Sequence, residues 1–267
     1  MNEHSRAEAE LYVLKIGGSV LTEKGTERRA RKETIKRIAG EIALALSTAH
    51  KKLILVHGAG SYGHPQAKVY LESRAVKDAL ITHECVKELN GMVVSSLMEC
   101  GLNAMPIHPL SAVMSKGGEI KYNIKEQIEM ALEMGIIPVL HGDVILDEKA
   151  GFRILSGDQL VVYVAKEFKA GRVGVGTDVS GVLNDAGEVI RKITPAEVEE
   201  LSIDGSVHVD VTGGMKEKVF LLAKLASENN VPSILFNAAK ESNVLKFLTA
   251  DENLFGTVIG YKNYLYL

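Results

Sequence analysis

The sequence predicts an α/β protein, with a mostly parallel sheet covered by helices on both faces. Three observations carry this expectation. Apolar β-type runs alternate with helix-period segments along the whole chain. Glycine-rich loops follow several of those runs directly, as in "LKIGGS" and "LVHGAGS". The chain has 267 residues, which suits one large α/β domain or two joined lobes.

Strands are expected at Leu11–Ile16, Leu53–His57, Ala104–Ile107, Ile137–His141, Val173–Thr177, Ser233–Phe236 and Thr257–Ile259. Helices are expected at Lys32–Leu46, Lys77–Glu99, Lys125–Glu133, Asp158–Lys169, Pro195–Leu201, Gly214–Glu228 and Ser242–Leu248. In the second of these, Val86, Leu89, Val93 and Leu97 recur at spacings of three and four, on one face. Ser156 and Thr212 read as N-caps of the helices that follow them. "DVILDEKAGFRIL" reads as a β-hairpin turning at "DEKAG". The stretch "EFKAGR" divides the chain into lobes 1–168 and 169–267, which share one continuous sheet.

The formal net charge of −3 supplies no general attraction to nucleic acid or to an anionic membrane. No apolar run nears the roughly 18–20 residues a membrane helix requires. The opening "MNEHSRAEAE" has no apolar signal segment. Cys85 and Cys100 stand in no metal-binding or redox spacing. The expectation is a reduced, cytoplasmic protein with no nucleic-acid or membrane partner and no protein-held metal.

In open α/β sheets ligands bind beyond the carboxyl ends of strands, so the loops there are the candidate sites. In "LKIGGSV", Lys15 offers a point charge and Gly17, Gly18 and Ser19 let backbone approach an anion. "GAGSYG" (58–63) fits a dinucleotide fingerprint, although another glycine turn already follows the first strand. With His64 and Pro65 it also comes close to a P-loop, whose Lys-Ser/Thr ending it lacks. In "DVTGGMKEKVF", Lys216 and Lys218 sit in the first turns of a helix, against its dipole. That placement makes sense beside a polyanion. "LSGDQL" puts Asp158 at a helix start, and "GVGTDVSG" puts Thr177 and Asp178 just past a strand.

Taken together, "KIGGS", "HGAGS", "GD", "GTD" and "TGGMKEK" resemble the amino acid kinase superfamily in order and spacing over nearly the whole chain. Within it, "LKIGGSVLTEK" and "HGAGSYGH" are similar to the isopentenyl phosphate kinases, with Tyr62 where phenylalanine is common. The informative residue is His64, at the position where that family holds its phosphate-bearing acceptor. The resemblance implies a three-layer α/β/α sandwich with a central, mainly parallel sheet, the acceptor in the N-terminal lobe and ATP in the C-terminal lobe. It implies that Lys15 and Lys218 contact the transferring phosphates and that Lys24 stabilises the transition state. It further implies backbone donors at Gly17, Gly18, Ser19, Gly60 and Gly214, and Asp158 orienting the lysines. Ala59, His64 and Gly157 would contact the acceptor, with Thr177 and Asp178 near the nucleoside. Mg²⁺ would arrive with ATP, and a homodimer is the family expectation. Val86 and Leu89, on the helix after the histidine loop, are candidate walls for an apolar acceptor tail. Other readings are a kinase for another small anion, such as a fosfomycin-like phosphonate or an amino acid carboxylate, an NAD-binding oxidoreductase, and a non-catalytic nucleotide sensor.

Overall fold

The runs "ELYVLKI" and "KKLILVH" become neighbouring central strands, buried over their last five residues. Continuous apolar character of this kind is what a parallel strand covered on both faces needs. The computed structural model describes residues 10–48, 51–122, 124–184, 186–198, 209–210, 213–249 and 255–261. Its strands are β1 (Glu10–Ile16), β2 (Lys51–His57), β3 (Ala104–Pro106), β4 (Val113–Lys116), β5 (Glu119–Tyr122), β6 (Ile137–His141) and β7 (Asp143–Asp147). They continue with β8 (Gly151–Leu155), β9 (Arg172–Thr177), β10 (Leu183–Asn184), β11 (Lys192–Ile193), β12 (Val209–Asp210), β13 (Ser233–Asn237) and β14 (Gly256–Ile259).

The main sheet has eight strands in the order β11-β14-β13-β9-β1-β2-β6-β3. Every pairing is parallel except β13 with β14. From β1 the chain first builds toward β2, β6 and β3, and later adds β9 and β13 on the other side. The switch point therefore lies between β1 and β9. Ile16 pairs with both His57 and Gly176, and Asn237 with Thr177, so the loops after these strands open on one edge.

Strand alternation sorts the core into two clusters. Tyr12, Leu14, Ile16, Leu53 and Leu55 pack with helices Lys32–Thr48, Val76–Glu99 and Asn243–Leu248. Val13, Ile54, Val56, Val173 and Val175 pack with helices Lys125–Glu133, Gly157–Glu167 and Gly213–Asn229. These are the outer layers of the expected sandwich. No helix among the described residues is long and apolar enough to cross a membrane.

The expected hairpin forms as β7 and β8, and joins β4 and β5 in a separate four-stranded sheet. Elements not expected include the β4–β5 hairpin, the two-residue strands β10, β11 and β12, and helices at Gly18–Leu21, His64–Ser73 and Pro109–Ala112. The strand expected at Ala104–Ile107 stops at Pro106. Residues 195–198 are helical as expected, and the rest of that predicted helix lies outside the described residues, as does the N-cap assigned to Thr212.

Candidate active site

Lys15 shares strand parity with Val13, so it points toward the layer containing helices Gly157–Glu167 and Gly213–Asn229. Each helix meets it with one charged residue. Lys15 Nζ lies 2.7 Å from Asp158 Oδ1, and Lys218 Nζ lies 3.5 Å from Asp158 Oδ2. Lys218 also donates to the Gly214 carbonyl at 2.9 Å. Lys15 is 4 % exposed. Burial pulls its pKa below the usual lysine value, and the Asp158 carboxylate opposes that shift. A capping box between Ser156 and Gln159 starts the Asp158 helix. It leaves the Gly157 and Asp158 N–H groups without acceptors among the described residues.

The two glycine loops touch backbone to backbone. A Cβ on Gly18 would stand 2.2 Å from the Gly60 nitrogen, and one on Gly58 2.5 Å from the Gly18 nitrogen. Gly60 has φ +52°, in the left-handed region. Only glycine allows this approach, which brings the Gly18, Ala59 and Gly60 N–H groups together without acceptors among the described residues. Gly17 departs from expectation. Its N–H donates to the Gly176 carbonyl at 2.7 Å, stitching β1 to β9, so it is not available to a ligand.

These groups surround a cavity of about 650 Å³. Lys15, Lys218, Asp158 and the glycine loops line it, together with the apolar side chains of Pro65, Ala67, Val86, Ile154 and Leu155. His64, the first residue of helix His64–Ser73, also lines it. Partial burial and the nearby Lys15 and Lys218 charges lower the His64 pKa, with Asp158 opposing. The ring is therefore mainly neutral at pH 7.

Val86 is at the cavity as expected; Leu89 is not. Leu89 is 0 % exposed and belongs to the core cluster beneath the sheet. The long helix turns Thr82 and Val86, four residues apart, toward the cavity, and Leu89 faces the core instead.

Lys24 reaches the site from the segment that follows the first glycine loop. Its Nζ lies 2.7 Å from Asp178 Oδ2, and Ser19 Oγ donates to Asp178 Oδ1 at 3.1 Å. Burial pushes the Asp178 pKa up, but the hydrogen bonds from Lys24, its own backbone and Ser19 outweigh that and leave it low. The segment bearing Lys24 is tied down by an Arg28–Glu88 ion pair and by Gln66 donating to Glu27 at 2.6 Å. Thr177, expected near a nucleoside, is buried, and its hydroxyl donates within its own turn to the Val179 carbonyl at 3.0 Å. No group of three or more His, Cys, Asp or Glu placed to hold a metal is found among the described residues.

Sequence reasoning missed a histidine cluster on the other face of the sheet. His57 and His141 are both 0 % exposed and paired in register across β2 and β6. His83 joins Asp143 at 2.8 Å, and His108 joins His141 at 2.9 Å. A usable signal existed, since "HG" ends two apolar runs, "LVHG" and "VLHG". Burial holds the His57 pKa down at about 4. A buried neutral histidine costs stability in acid, because the unfolded chain takes up its proton near pH 6.5. That contribution is complete above pH 6.5 and disappears as the pH falls toward 4, a loss of about 3 kcal/mol. Urea unfolding at pH 7.5 and 4.5 should show it, and His57→Asn should flatten the slope. An unchanged slope would mean that His57 is not held neutral.

The class follows from the sheet order and the lysine–aspartate pair at its switch point. The chain belongs to the amino acid kinase family, whose pattern it matches over residues 10–237, and is thus a phosphotransferase. It is 35% identical over 256 residues to the isopentenyl phosphate kinase of Methanocaldococcus jannaschii, covering 90% of this chain and 96% of that one. It is 37% identical over 229 residues to the isopentenyl phosphate kinase of Haloferax volcanii, covering 83% and 90%. Among solved structures, an isopentenyl phosphate kinase superposes with TM-score 0.79 at 31% identity, covering 93% of this chain and 99% of that one.

Proposed function

We propose that the protein transfers the γ-phosphoryl group of ATP to isopentenyl phosphate, giving isopentenyl diphosphate and ADP. The carrying observation is the cavity's lining. Lysines, glycine loops and His64 share it with the apolar Pro65, Ala67, Val86, Ile154 and Leu155, and no arginine lines it among the described residues. A phosphate with a hydrocarbon tail fits that lining better than an amino acid, whose second carboxylate would need its own cation.

The acceptor's second pKa is about 6, so near neutral pH it is largely a dianion and needs no general base. Its oxygen attacks the γ-phosphorus as the bond to the ADP oxygen breaks. The site's task is to position two anions and to neutralise charge. Lys15 and Lys218 do this from the sheet side, and Lys24 joins them from its Asp178 contact. Asp158 accepts a hydrogen bond from Lys15, pairs with Lys218 at 3.5 Å and aligns both. His64 donates a hydrogen bond to the acceptor phosphate. Magnesium would enter with ATP, on phosphate oxygens and water. Asp178 is already committed to Lys24 and Ser19, which fits that mode better than a protein-built cage. A homodimer, a cytoplasmic location, lobes meeting at 168/169 and a role in isoprenoid synthesis go with this reading.

ADP release measured against isopentenyl phosphate, fosfomycin, N-acetylglutamate and other small anions tests it. Turnover confined to an amino acid or a phosphonate would overturn the substrate. The tail pocket has its own test. Val86→Ala should raise kcat/KM for geranyl phosphate relative to isopentenyl phosphate, each newly buried methylene contributing up to about 0.8 kcal/mol. Leu89→Ala should leave that ratio alone and cost about 2–5 kcal/mol of stability. The reverse pattern would return Val86 to the core.

A further inference from the structure

Two features of the fold repeat each other. β2 and β6 lie side by side, and each ends on His-Gly, with His57 opposite His141. Each ring turns back onto the carbonyl of its own following glycine. His57 Nδ1 lies 3.0 Å from the Gly58 oxygen, and His141 Nδ1 lies 3.1 Å from the Gly142 oxygen. A carbonyl only accepts, so in both rings Nδ1 carries the proton. The remaining nitrogens then accept. Asn90 Nδ2 donates to His57 Nε2 at 3.1 Å, and His108 Nδ1 donates to His141 Nε2 at 2.9 Å. Both rings are thereby fixed in one tautomer by a partner chosen for it.

Packing alone does not account for this. The preceding residues of the same parity are Leu53 and Leu55 in β2, and Ile137 and Val139 in β6. Ile16, Leu21, Leu55 and Val93 surround His57, and an apolar side chain would fill that space without desolvating a polar ring. What the histidine adds is the hydrogen bond to Gly58, whose next peptide bears the Ala59 N–H. Ala59 lines the cavity, and its N–H has no acceptor among the described residues. In a trans peptide the C=O and N–H point in opposite directions. Pinning the Gly58 carbonyl on the histidine side therefore fixes the Ala59 N–H direction.

We propose that His57 is a positioning residue for the acceptor phosphate. By holding the Gly58 carbonyl, it presents the Ala59 N–H to that phosphate, and His141 fixes the Gly142–Asp143 peptide on the neighbouring strand in the same way. The proposal rests on the reading of the cavity given above.

Nitrogen-15 histidine NMR of the wild-type protein should show His57 with Nδ1 protonated and Nε2 bare; the opposite tautomer overturns the proposal. Calorimetry of isopentenyl phosphate, inorganic phosphate and ATP then compares His57→Leu with His57→Asn. The asparagine amide can take over the Nδ1 donor. His57→Leu should weaken both phosphate probes about tenfold or more, leave ATP nearly unchanged, and be largely rescued in His57→Asn. Equal losses for ATP and acceptor, or an asparagine variant as weak as leucine, overturn it. Should His57→Leu fail to fold, Asn90→Leu serves. Freed of its donor, Nε2 should gain protonated population as phosphate affinity falls, and no change in either overturns the proposal. A wild-type protein that binds inorganic phosphate but never phosphorylates isopentenyl phosphate removes the proposed substrate, and leaves the positioning role to be decided by the tautomer and phosphate data.

Discussion

Lys15→Ala should lower kcat about a thousandfold, equivalent to about 4 kcal/mol of transition-state stabilisation. Affinities for ATP and acceptor should change far less. The reason is where the charge sits. Lys15 is 4 % exposed, so water screens its ammonium poorly as the phosphoryl group moves. Its partner Asp158 is fixed by a helix start, so the lysine waits in place rather than being recruited. Removing it also leaves Asp158 with only the longer 3.5 Å contact to Lys218. Arginine should not rescue, because a longer, planar guanidinium does not replace the compact ammonium that Asp158 holds at 2.7 Å. Because the three charges act as a unit, adding Asp158→Asn to Lys15→Ala should cost little more than the single change. Single-turnover rates read both effects, and a near-wild-type rate in Lys15→Ala would remove it from the site.

The sheet was legible because its strands are buried on both faces and so announce themselves as apolar runs. β1, β2, β6, β9 and β13 all follow from that signal. Apart from the two-residue edge strand β11, the elements that escaped lie outside the main sheet. Helix His64–Ser73 buries only Gln66 and Tyr70, so it has no apolar stripe to find. Its signal was Pro65 at the start, a known helix-opening position. The β4–β5 hairpin was marked by Gly117-Gly118, both at positive φ.

The phosphate end of the site was legible for a related reason. Lys15, Lys218 and Asp158 come from three distant elements, but each is placed by a local rule: the end of a buried strand, or the start of a helix. The Gly17 N–H was misread as a free donor because its partner is a backbone carbonyl on a neighbouring strand. Leu89 was misread because an apolar stripe spans more than one environment. Its neighbour Val86 lines the cavity, and Leu89 packs in the core cluster.

His64→Ala should cost about 2–4 kcal/mol in kcat/KM for the acceptor, the range found on removing one preorganised donor. ATP affinity and melting temperature should stay close to wild type. The stability expectation follows from exposure, since His64 opens onto the cavity and has no part in either core cluster. His64→Gln, which keeps an N–H donor, should recover part of the loss. The pH profile separates two roles for the ring. With its pKa lowered by partial burial and by Lys15 and Lys218, His64 is mainly neutral at pH 7 and donates through one N–H. As pH rises, kcat/KM should climb with the acceptor's second ionisation near about 6 and then stay level. Were an imidazolium required in the free enzyme, the profile would instead fall again above the lowered His64 pKa. A bell-shaped curve for wild type that becomes a plateau in His64→Gln would assign the ring a cationic role and overturn the neutral-donor assignment. A plateau in both, with the glutamine variant active and the alanine variant not, fits a donor whose geometry matters more than its charge.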